Sequence, residues 1–179
     1  MPRYSELRGR RLRLYEAALE RLVATRSGAW LFVHVVCHID RLLLPITGGR
    51  VSLAVGTPVG LLETVGARSG RVRRAPLLYL RDGEDVIIVA SNGGSARDPA
   101  WLHNVRAAPD VRFLSAPGGW RRYRARIEAG HSREAYWHRV RDLFAGYQAY
   151  ERRTGGREIP IVVLTPWAIG QRAREDSDL

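Results

Sequence analysis

Short turns join successive runs of Val, Leu and Ile through most of this chain, and this spacing limits the fold more than any other feature. The link Asp82-Gly83-Glu84 is a hairpin turn in which Gly83 can take a positive φ. The link at 117–119, Pro-Gly-Gly, turns the chain between two later runs. Parallel strands need crossovers of about a dozen residues or more, so strands joined this closely pair antiparallel. The predicted strands are residues 50–55, 61–65, 72–81, 85–91, 111–115, 120–128 and 159–165.

A meander of six or seven antiparallel strands tends to close into a barrel, because closure removes exposed strand edges. Helices are predicted at the edges of this barrel. Asp98 and Pro99 form a good helix start, an N-cap followed by proline at the first helical position, and that helix ends before Pro109. Ser132 is predicted to cap a further helix. The predicted fold class is therefore α+β, mainly antiparallel β, with flanking helices.

The length and the cysteine content limit the kind of protein. The 179 residues suffice for one domain with one core, and the 45% apolar fraction is that of a globular chain. Cys37 is the only cysteine, which excludes an internal disulfide framework and is typical of a reducing cytoplasm. No signal-peptide pattern is seen in the first residues. The expected location is cytoplasmic.

The basic residues of this chain are all arginine. They number 29, there is no lysine, and the formal net charge is +11. The planar fork of arginine suits phosphates and carboxylates, although a genome rich in G and C would also favour arginine codons over lysine codons. The charge still predicts attraction to anions, such as a cofactor phosphate, an anionic lipid surface or a nucleic acid.

The first segment is predicted to be an amphipathic helix. Within 5–25, apolar residues such as Tyr15, Leu19 and Leu22 share one face, opposite an arginine-rich side. This helix could lie on an anionic membrane surface, or its apolar stripe could dock on the core. The predicted organisation is a helix at 1–26, a barrel domain at 27–170 and a frayed tail at 171–179.

A second helix is predicted over 29–44, ended by Pro45 and too short and too charged to span a bilayer. His34, Cys37 and His38 share one face of it, which superficially resembles metal-ligand spacing. No second cluster completes a site, so we predict a packed helix and no metal. Cys37 lies among apolar residues and is a poor candidate nucleophile.

The segment GARSGRVRR at 66–74 is a glycine-bounded turn crowded with arginine that leads into a strand. Its backbone N–H groups, the Ser69 hydroxyl and the guanidinium groups of Arg68 and Arg73 are groups that bind phosphate oxygens. Arg73 and Arg74 alternate across the strand, so only one of them can face a given ligand. A solvated hairpin tip is the alternative interpretation.

A second loop, ASNGGSARDPAW at 90–101, follows a predicted strand and precedes a helix N-terminus. The dipole and free N–H groups of a helix start attract negative charge, and Gly93 and Gly94 would let a ligand approach the backbone closely. By itself the loop could equally be a flexible connector. Two such loops after neighbouring strands indicate one concave site for a flat ligand that carries phosphate.

Tyr147 and Tyr150 are three residues apart and share a helix face. Such a pair could flank a flat ring and donate a hydrogen bond or a proton, although core packing also explains single aromatic residues here. The GxGxxG, P-loop, GxSxG, CxxC and HExxH motifs are all absent from the sequence. If the chain is an enzyme, we therefore expect a bound cofactor to carry the chemistry.

These blocks together resemble the deazaflavin-dependent nitroreductase and quinone reductase family of actinobacteria. The resemblance rests on LLETVGARSGRVRRAPLLYLRDG at 61–83, VIIVASNGGSARDPAWLHNVRAAPDV at 86–111, YQAY at 147–150 and IPIVVLTP at 159–166. It implies a split β-barrel of the flavin-reductase-like kind. It also implies binding of coenzyme F-420, a deazaflavin with a phosphate and a polyglutamate tail. The implied reaction is hydride transfer from reduced F-420 to a small electron-poor acceptor, such as a quinone, an enone or a nitroaromatic.

The resemblance also implies site residues. Those implied to contact the anionic tail and continue its groove are Ala67, Arg68, Ser69, Arg73, Arg74, Ala75 and Pro76. Those implied to line the ring and phosphate region are Val89, Ala90, Ser91 and Asn92, with Ala100, Trp101, Leu102, His103 and Asn104 as another wall. Tyr147 is implied to approach the ring and is the best candidate proton donor, helped by Tyr150 or Ser91.

The chain departs from the family pattern at three positions. Asn92 stands where some relatives have lysine, which removes one charged contact to the phosphate. Leu78 and Phe144 stand where the members that reduce nitro drugs have tyrosines, so nitroimidazole activity is not implied.

Two other functions stay open at this point. One is a split-barrel oxidoreductase that uses FMN, whose phosphate the basic turn also fits. The other is a non-catalytic binder of cofactor or nucleic acid, although no helix-turn-helix or RNP-type aromatic pattern is seen and no nucleic-acid partner is predicted. The sequence does not indicate an oligomeric state.

Overall fold

The computed structural model describes residues 25, 37–53, 58–116, 118–144 and 146–167. Its helices are α1 (Cys37–Ile46), α2 (Ala100–Ala107), α3 (Gly130–Leu143) and α4 (Gly146–Arg153), with a 3₁₀ turn at Asn92–Gly94. Its strands are β1 (Val59–Val65), β2 (Val72–Asp82), β3 (Asp85–Val89), β4 (Asp110–Ser115), β5 (Gly119–Ile127) and β6 (Ile161–Pro166).

The six strands form a closed barrel in the order β1-β2-β3-β6-β5-β4, and every neighbouring pair is antiparallel. The two short links form the hairpins as predicted, since Asp82 is opposite Asp85 and Ser115 is opposite Gly119. The predicted fold class is confirmed. Closure depends on β6, which pairs with both β3 and β5.

Strand β2 changes partner along its length. Residues 72–78 pair with β1 alone, and residues 79–82 pair with β3. Among the strands that the structure describes, none pairs with the other edge of this first stretch, which we call the open edge of β2. Pro76 lies in this stretch, where a missing N–H is tolerated because an edge strand need not donate on both sides. This edge positions the site described below.

Strands β3 and β6 are almost continuously apolar because both of their faces are covered, whereas β5 carries arginines on an exposed face. On β3, Val86 and Ile88 face the barrel interior, whereas Ile87 and Val89 lie in a second cluster that includes aromatic residues of α3 and α4. This alternation follows from the two-residue period of a strand. Inside the barrel, the Phe113 ring makes edge-to-face contacts with Tyr79 (5.4 Å) and Tyr123 (6.4 Å).

Residues 50–53 form no strand, so that part of the strand predicted at 50–55 is wrong. The Asp40 carboxylate holds this stretch against α1, because it accepts hydrogen bonds from Ser52 Oγ (2.7 Å) and the Leu53 N–H (2.8 Å). An N–H that donates to a carboxylate does not donate to a neighbouring strand.

Helix boundaries also differ from the predictions. Pro45 lies inside α1, which ends one residue later at Ile46. Helix α3 begins at Gly130 with Ala129 as its N-cap, and no side chain caps it. The Ser132 hydroxyl, predicted to cap this helix, lies within hydrogen-bond distance of the Glu128 carboxylate (2.7 Å). Side-chain pairing has replaced the predicted cap.

Residues 5–24 of the first predicted helix, its membrane contact, residues 29–36 of the second predicted helix with His34, and the tail at 171–179 lie outside the described residues. Among the helices that the structure describes, none is long and apolar enough to cross a membrane.

Candidate active site

Two adjoining cavities lie along the open edge of β2. The first has a volume of about 690 Å³ and is lined by the turn after β1, by β2 and by α2. The second has a volume of about 430 Å³ and is lined by α1, by the next residues of β2, by the end of β3 and by aromatic residues around α4. The residues that line both cavities are Arg74, Ala75, Ala100 and Trp101. The cavities therefore adjoin at a shared wall, and together they are called the groove below.

The structure brings most of the predicted site residues to these cavities. The predicted residues that line the first cavity are Ala67, Arg68, Ser69, Arg73, Arg74, Ala75, Ala100, Trp101, His103 and Asn104. Those that line the second are Arg74, Ala75, Pro76, Val89, Ser91, Asn92, Ala100, Trp101, Tyr147 and Tyr150.

Ala90 and Leu102 line neither cavity. Both are fully buried and belong to the cluster inside the barrel. Ala90 directly follows β3, where side chains alternate between the two faces, so its neighbours Val89 and Ser91 reach the second cavity and Ala90 does not. The side chains of Ala90 and Leu102 are thus placed to pack the core.

The turn between β1 and β2 uses most of its own N–H groups. Ser69 and Gly70 donate to the Gly66 carbonyl, Gly66 donates to the Arg71 carbonyl (2.9 Å), and Arg71 donates to Ser69 Oγ (3.4 Å). The Ala67 N–H donates to Asn104 Oδ1 (3.0 Å). An anion at this turn would consequently be bound by side chains more than by a ring of free amides.

The arginines at the first cavity have unequal charge environments. Within the described part of the chain, Arg68 and Arg73 make no ion pair. Arg74 Nε donates to the nearly buried Glu63 carboxylate (2.8 Å), which also accepts from Arg112 Nη1 (2.9 Å). Arg68 and Arg73 therefore carry the uncompensated positive charge of this cavity.

Asn104 ties α2 to the turn and to β1. Its side-chain oxygen accepts from the Ala67 N–H, and its Nδ2 donates to Thr64 Oγ1 (3.1 Å). The carbonyl oxygen and the NH₂ group of this amide each make a hydrogen bond, so Asn104 fixes the position of the turn relative to the helix. These two hydrogen bonds maintain the shape of the first cavity.

Helix α2 starts without the predicted cap. Its N-cap is Pro99, and no side chain bonds to the first turn. Asp98 instead pairs with Arg106 Nη1 (2.8 Å) and Arg157 Nη1 (3.0 Å). The Leu102 N–H donates to the Pro99 carbonyl (3.0 Å), so the uncapped N–H groups at this helix start are those of Ala100 and Trp101, two residues that line both cavities.

Helix α1 adds a wall that the sequence did not reveal. Cys37, His38 and Arg41 line the second cavity. Burial and then the charge of Asp40 raise the pKa of Cys37 to about 11, so its thiol is protonated and unreactive near neutral pH. Across the residues that the structure describes, no three His, Cys, Asp or Glu side chains are grouped to hold a metal ion. The only local signal for this wall was the polar interruption of an apolar helix.

Tyr147 and Tyr150 bring their rings together at the second cavity. They are 3% and 5% exposed, and their ring centroids are 6.1 Å apart. Phe144 packs edge-on against Tyr147 at 5.3 Å, and Trp137 lies 6.1 Å from Tyr147 on the other side. The tyrosines are thus held by an aromatic cluster and present rigid walls to the cavity.

Burial controls the protonation of both tyrosines. It raises the pKa of Tyr147 well above its usual range, with a further contribution from Tyr150. It raises the pKa of Tyr150 to about 12, although the nearby Arg153 guanidinium opposes the shift. Both hydroxyls stay protonated at physiological pH and can act as hydrogen-bond donors.

The closed antiparallel barrel and its groove define a split-barrel protein of the flavin-reductase-like class. Residues 35–166 match the family model described as F420H(2)-dependent quinone reductase. The chain belongs to that family, which confirms the resemblance seen in the sequence and makes the protein a deazaflavin-dependent oxidoreductase.

Individual relatives agree with this assignment. A Mycobacterium tuberculosis protein named F420H(2)-dependent quinone reductase is 38% identical over 143 residues, covering 76% of this chain and 95% of that protein. A solved structure of an F420-H2 dependent reductase is 32% identical, with a TM-score of 0.53, and the match covers 60% of this chain and 93% of that one. A structure described as a domain-swapped dimer is 28% identical, with a TM-score of 0.56, over 85% of this chain and 94% of that one.

Proposed function

We propose that the groove binds reduced coenzyme F-420 and that the protein transfers a hydride from it to a quinone. The observation that carries the proposal is that two cavities of different chemistry share a wall in a member of this family. One cavity offers two arginines that make no ion pair with any described residue, and the other offers flat aromatic and aliphatic walls for a ring. A ligand with an acidic end and a tricyclic end needs both.

The residues of the first cavity fit the acidic part of such a cofactor. Arg68 and Arg73 have no ion pair within the described residues and can form charge-assisted hydrogen bonds to phosphate or carboxylate oxygens. The Ser69 hydroxyl and the free amides at the start of α2 add neutral donors. Arg74 is already paired with Glu63, so we assign it to the wall of the groove.

The residues of the second cavity fit the ring and the acceptor. When bound, the reduced deazaflavin supplies the hydride. Val89, Pro76 and Trp101 would give apolar surface that shields the ring from water, while Ser91 and Asn92 give polar groups to the same cavity. The protein contributes orientation and electrostatic complementarity to the oxygen on which charge develops.

Tyr147 is the candidate donor to that oxygen. Because burial keeps its hydroxyl protonated, it can donate a hydrogen bond to the acceptor oxygen or a proton to the reduced product. Tyr150 and Ser91 line the same cavity and are the alternative donors. Leu78 and Phe144 also line this cavity, and their apolar side chains favour an apolar acceptor such as a substituted quinone.

Cofactor affinity in arginine variants tests the assignment of the first cavity. Each of Arg68→Gln and Arg73→Gln removes a charged hydrogen bond, so each should weaken F-420 binding about tenfold. Arg71→Gln is the matched control, because Arg71 belongs to the same turn and lines neither cavity. Equilibrium binding is measured by fluorescence quenching, with FMN titrated in parallel. Unchanged affinity in both cavity variants, or tighter binding of FMN, would contradict the proposal.

Steady-state kinetics with menadione test the tyrosine assignment. Tyr147→Phe keeps the ring and removes the hydroxyl, so kcat should fall by about tenfold or more while F-420 affinity is retained. Tyr150→Phe and Ser91→Ala are the parallel variants that identify the donor. If none of the three lowers kcat, water is the proton source and the tyrosines serve only as walls.

A further inference from the structure

A single arginine beyond α4 holds the loop between β3 and α2, which comprises residues 90–98 and is called the β3–α2 loop below. Arg157 donates from Nη1 to the Ala90 carbonyl (3.3 Å) and from Nη2 to the Ser91 carbonyl (3.1 Å). It donates to the Ser95 carbonyl from Nη2 (2.9 Å) and from Nε (3.2 Å). Its Nη1 also donates to the Asp98 carboxylate (3.0 Å). The guanidinium therefore contacts both ends of the loop and its middle.

Apart from Arg157, the β3–α2 loop is held by polar contacts and by the approach of Gly94 to α4, not by buried side chains. The Gly94 N–H donates to the Ser91 carbonyl (2.9 Å), and Asn92 Nδ2 donates to the Arg97 carbonyl (3.0 Å). Residues 91–95 are Ser-Asn-Gly-Gly-Ser, so no large apolar side chain anchors them by burial. Asn92, Gly93 and Gly94 all have positive φ, at +48°, +63° and +81°. A short left-handed stretch of this kind persists only where the surroundings fix it.

The same arginine connects the loop to two other walls of the groove. Arg157 follows α4 after the turn at 154–156, and α4 carries both tyrosines. Asp98 accepts from Arg157 on one oxygen and from Arg106 of α2 on the other (2.8 Å). The loop, α2 and the residues after α4 thus belong to one hydrogen-bonded network.

We propose that Arg157 is a positioning residue of the active site, which fixes Ser91 and Asn92 relative to Tyr147 without touching the ligand. Arg157 is not among the residues that line the two cavities, and it approaches the loop from a separate surface lined also by Arg97 and Glu158. The inference rests on the proposed function, because it assumes that these cavities hold the cofactor. A misplacement of about 1 Å at a reacting centre can cost about 100-fold in rate.

The geometry explains why an arginine is needed. The acceptors are three carbonyl oxygens and a carboxylate, which take five hydrogen bonds in all, and a guanidinium presents five donors in a fixed fork. A lysine ammonium has three donors on a flexible stem. Arg157→Lys should keep the pair with Asp98 and lose part of the carbonyl contacts, and Arg157→Gln should lose the ion pair as well.

Two measurements test the role, F-420 affinity and amide hydrogen exchange without cofactor. The control is Arg152→Gln, because Arg152 is exposed on α4 and lines neither cavity. Arg157→Gln should weaken F-420 binding by about tenfold or more, with Arg157→Lys between it and the wild type. Exchange should accelerate at 91–97 in both variants and stay unchanged in β3 and β6. Arg152→Gln should match the wild type in both measurements.

Several results would overturn the role. Unchanged F-420 affinity in Arg157→Gln is one, and faster exchange spread evenly over the barrel strands is another, because it would indicate a general loss of stability. If Arg157→Gln does not fold, Arg157→Lys decides the question by the same readouts. Failure of the wild-type protein to bind F-420 would overturn the proposed function, whereas the exchange comparison still decides whether Arg157 positions the loop.

Discussion

Replacing Gly94 by alanine tests how closely the 3₁₀ turn of the β3–α2 loop approaches α4. Gly94 has a φ of +81°, a conformation that costs an L residue about 1–2 kcal/mol. A Cβ there would lie 2.9 Å from Tyr150 Cα and 3.0 Å from the Tyr150 carbonyl oxygen. Both are backbone atoms, so relief requires movement of the turn or the helix, which adds about 1–3 kcal/mol. We expect Gly94→Ala to lower the free energy of unfolding by about 2–5 kcal/mol.

Gly155→Ala is the matched control for this measurement. Gly155 has a similar φ of +69°, but nothing lies within 4 Å of a Cβ built on it, so only the conformational cost remains. In a chain of this size 1 kcal/mol corresponds to about 2–4 °C in Tm. Thermal unfolding should therefore show a Tm loss for Gly94→Ala that is about twice that of Gly155→Ala or more. Equal losses would refute the inference that the turn and α4 are in backbone contact.

Three further outcomes follow from the described contacts. Burial raises the pKa of Tyr150 to about 12 from 10.0, so the unfolded chain loses this proton first as pH rises. The contribution of the protonated Tyr150 to the free energy of unfolding is therefore complete below pH 10 and is lost between about pH 10 and 12, by up to about 3 kcal/mol. Urea unfolding of Tyr150→Phe should lack that part of the alkaline loss. Glu63→Gln removes the negative charge that pairs with both Arg74 and Arg112. The free energy of unfolding measured in urea should fall by about 2 kcal/mol, and by less at high salt. No change would show that the two ion pairs are fully screened by solvent. Phe144→Tyr adds a hydroxyl at the second cavity and should raise kcat/KM for a nitroaromatic relative to menadione, whereas an unchanged ratio would show that this position does not select the acceptor.

The barrel could be predicted from the sequence because its signals are local. Runs such as 86–89 and 161–164 are apolar at every position, as expected of strands covered on both faces, and short links leave little choice of pairing. The main error was the strand predicted at 50–55, and Asp40 explains it. The Asp40 carboxylate accepts a hydrogen bond from the Leu53 N–H although the two residues are 13 positions apart, and local strand propensity does not reveal such a contact.

The candidate site could be predicted in part, for a related reason. The arginine turn and the β3–α2 loop each show their anion-binding chemistry within a few residues, and the structure brings both to one groove. Arg157 could not be found in this way, since nothing near it distinguishes it from the other arginines and its acceptors are 59 to 67 residues away. Asp98 was misjudged as a helix cap because its two partner arginines are visible only in the folded chain. Long-range side-chain pairing is the information that a local pattern lacks.

The position of β6 has a consequence for biosynthesis. This strand inserts between β3 and β5, which are separated from it by 71 and 33 residues of chain. A growing polypeptide that has not yet emerged past residue 161 therefore exposes two unsatisfied strand edges and the apolar faces that β6 will cover. The barrel can therefore close only after β6 has emerged, and until then these edges and faces are open to proteases and chaperones.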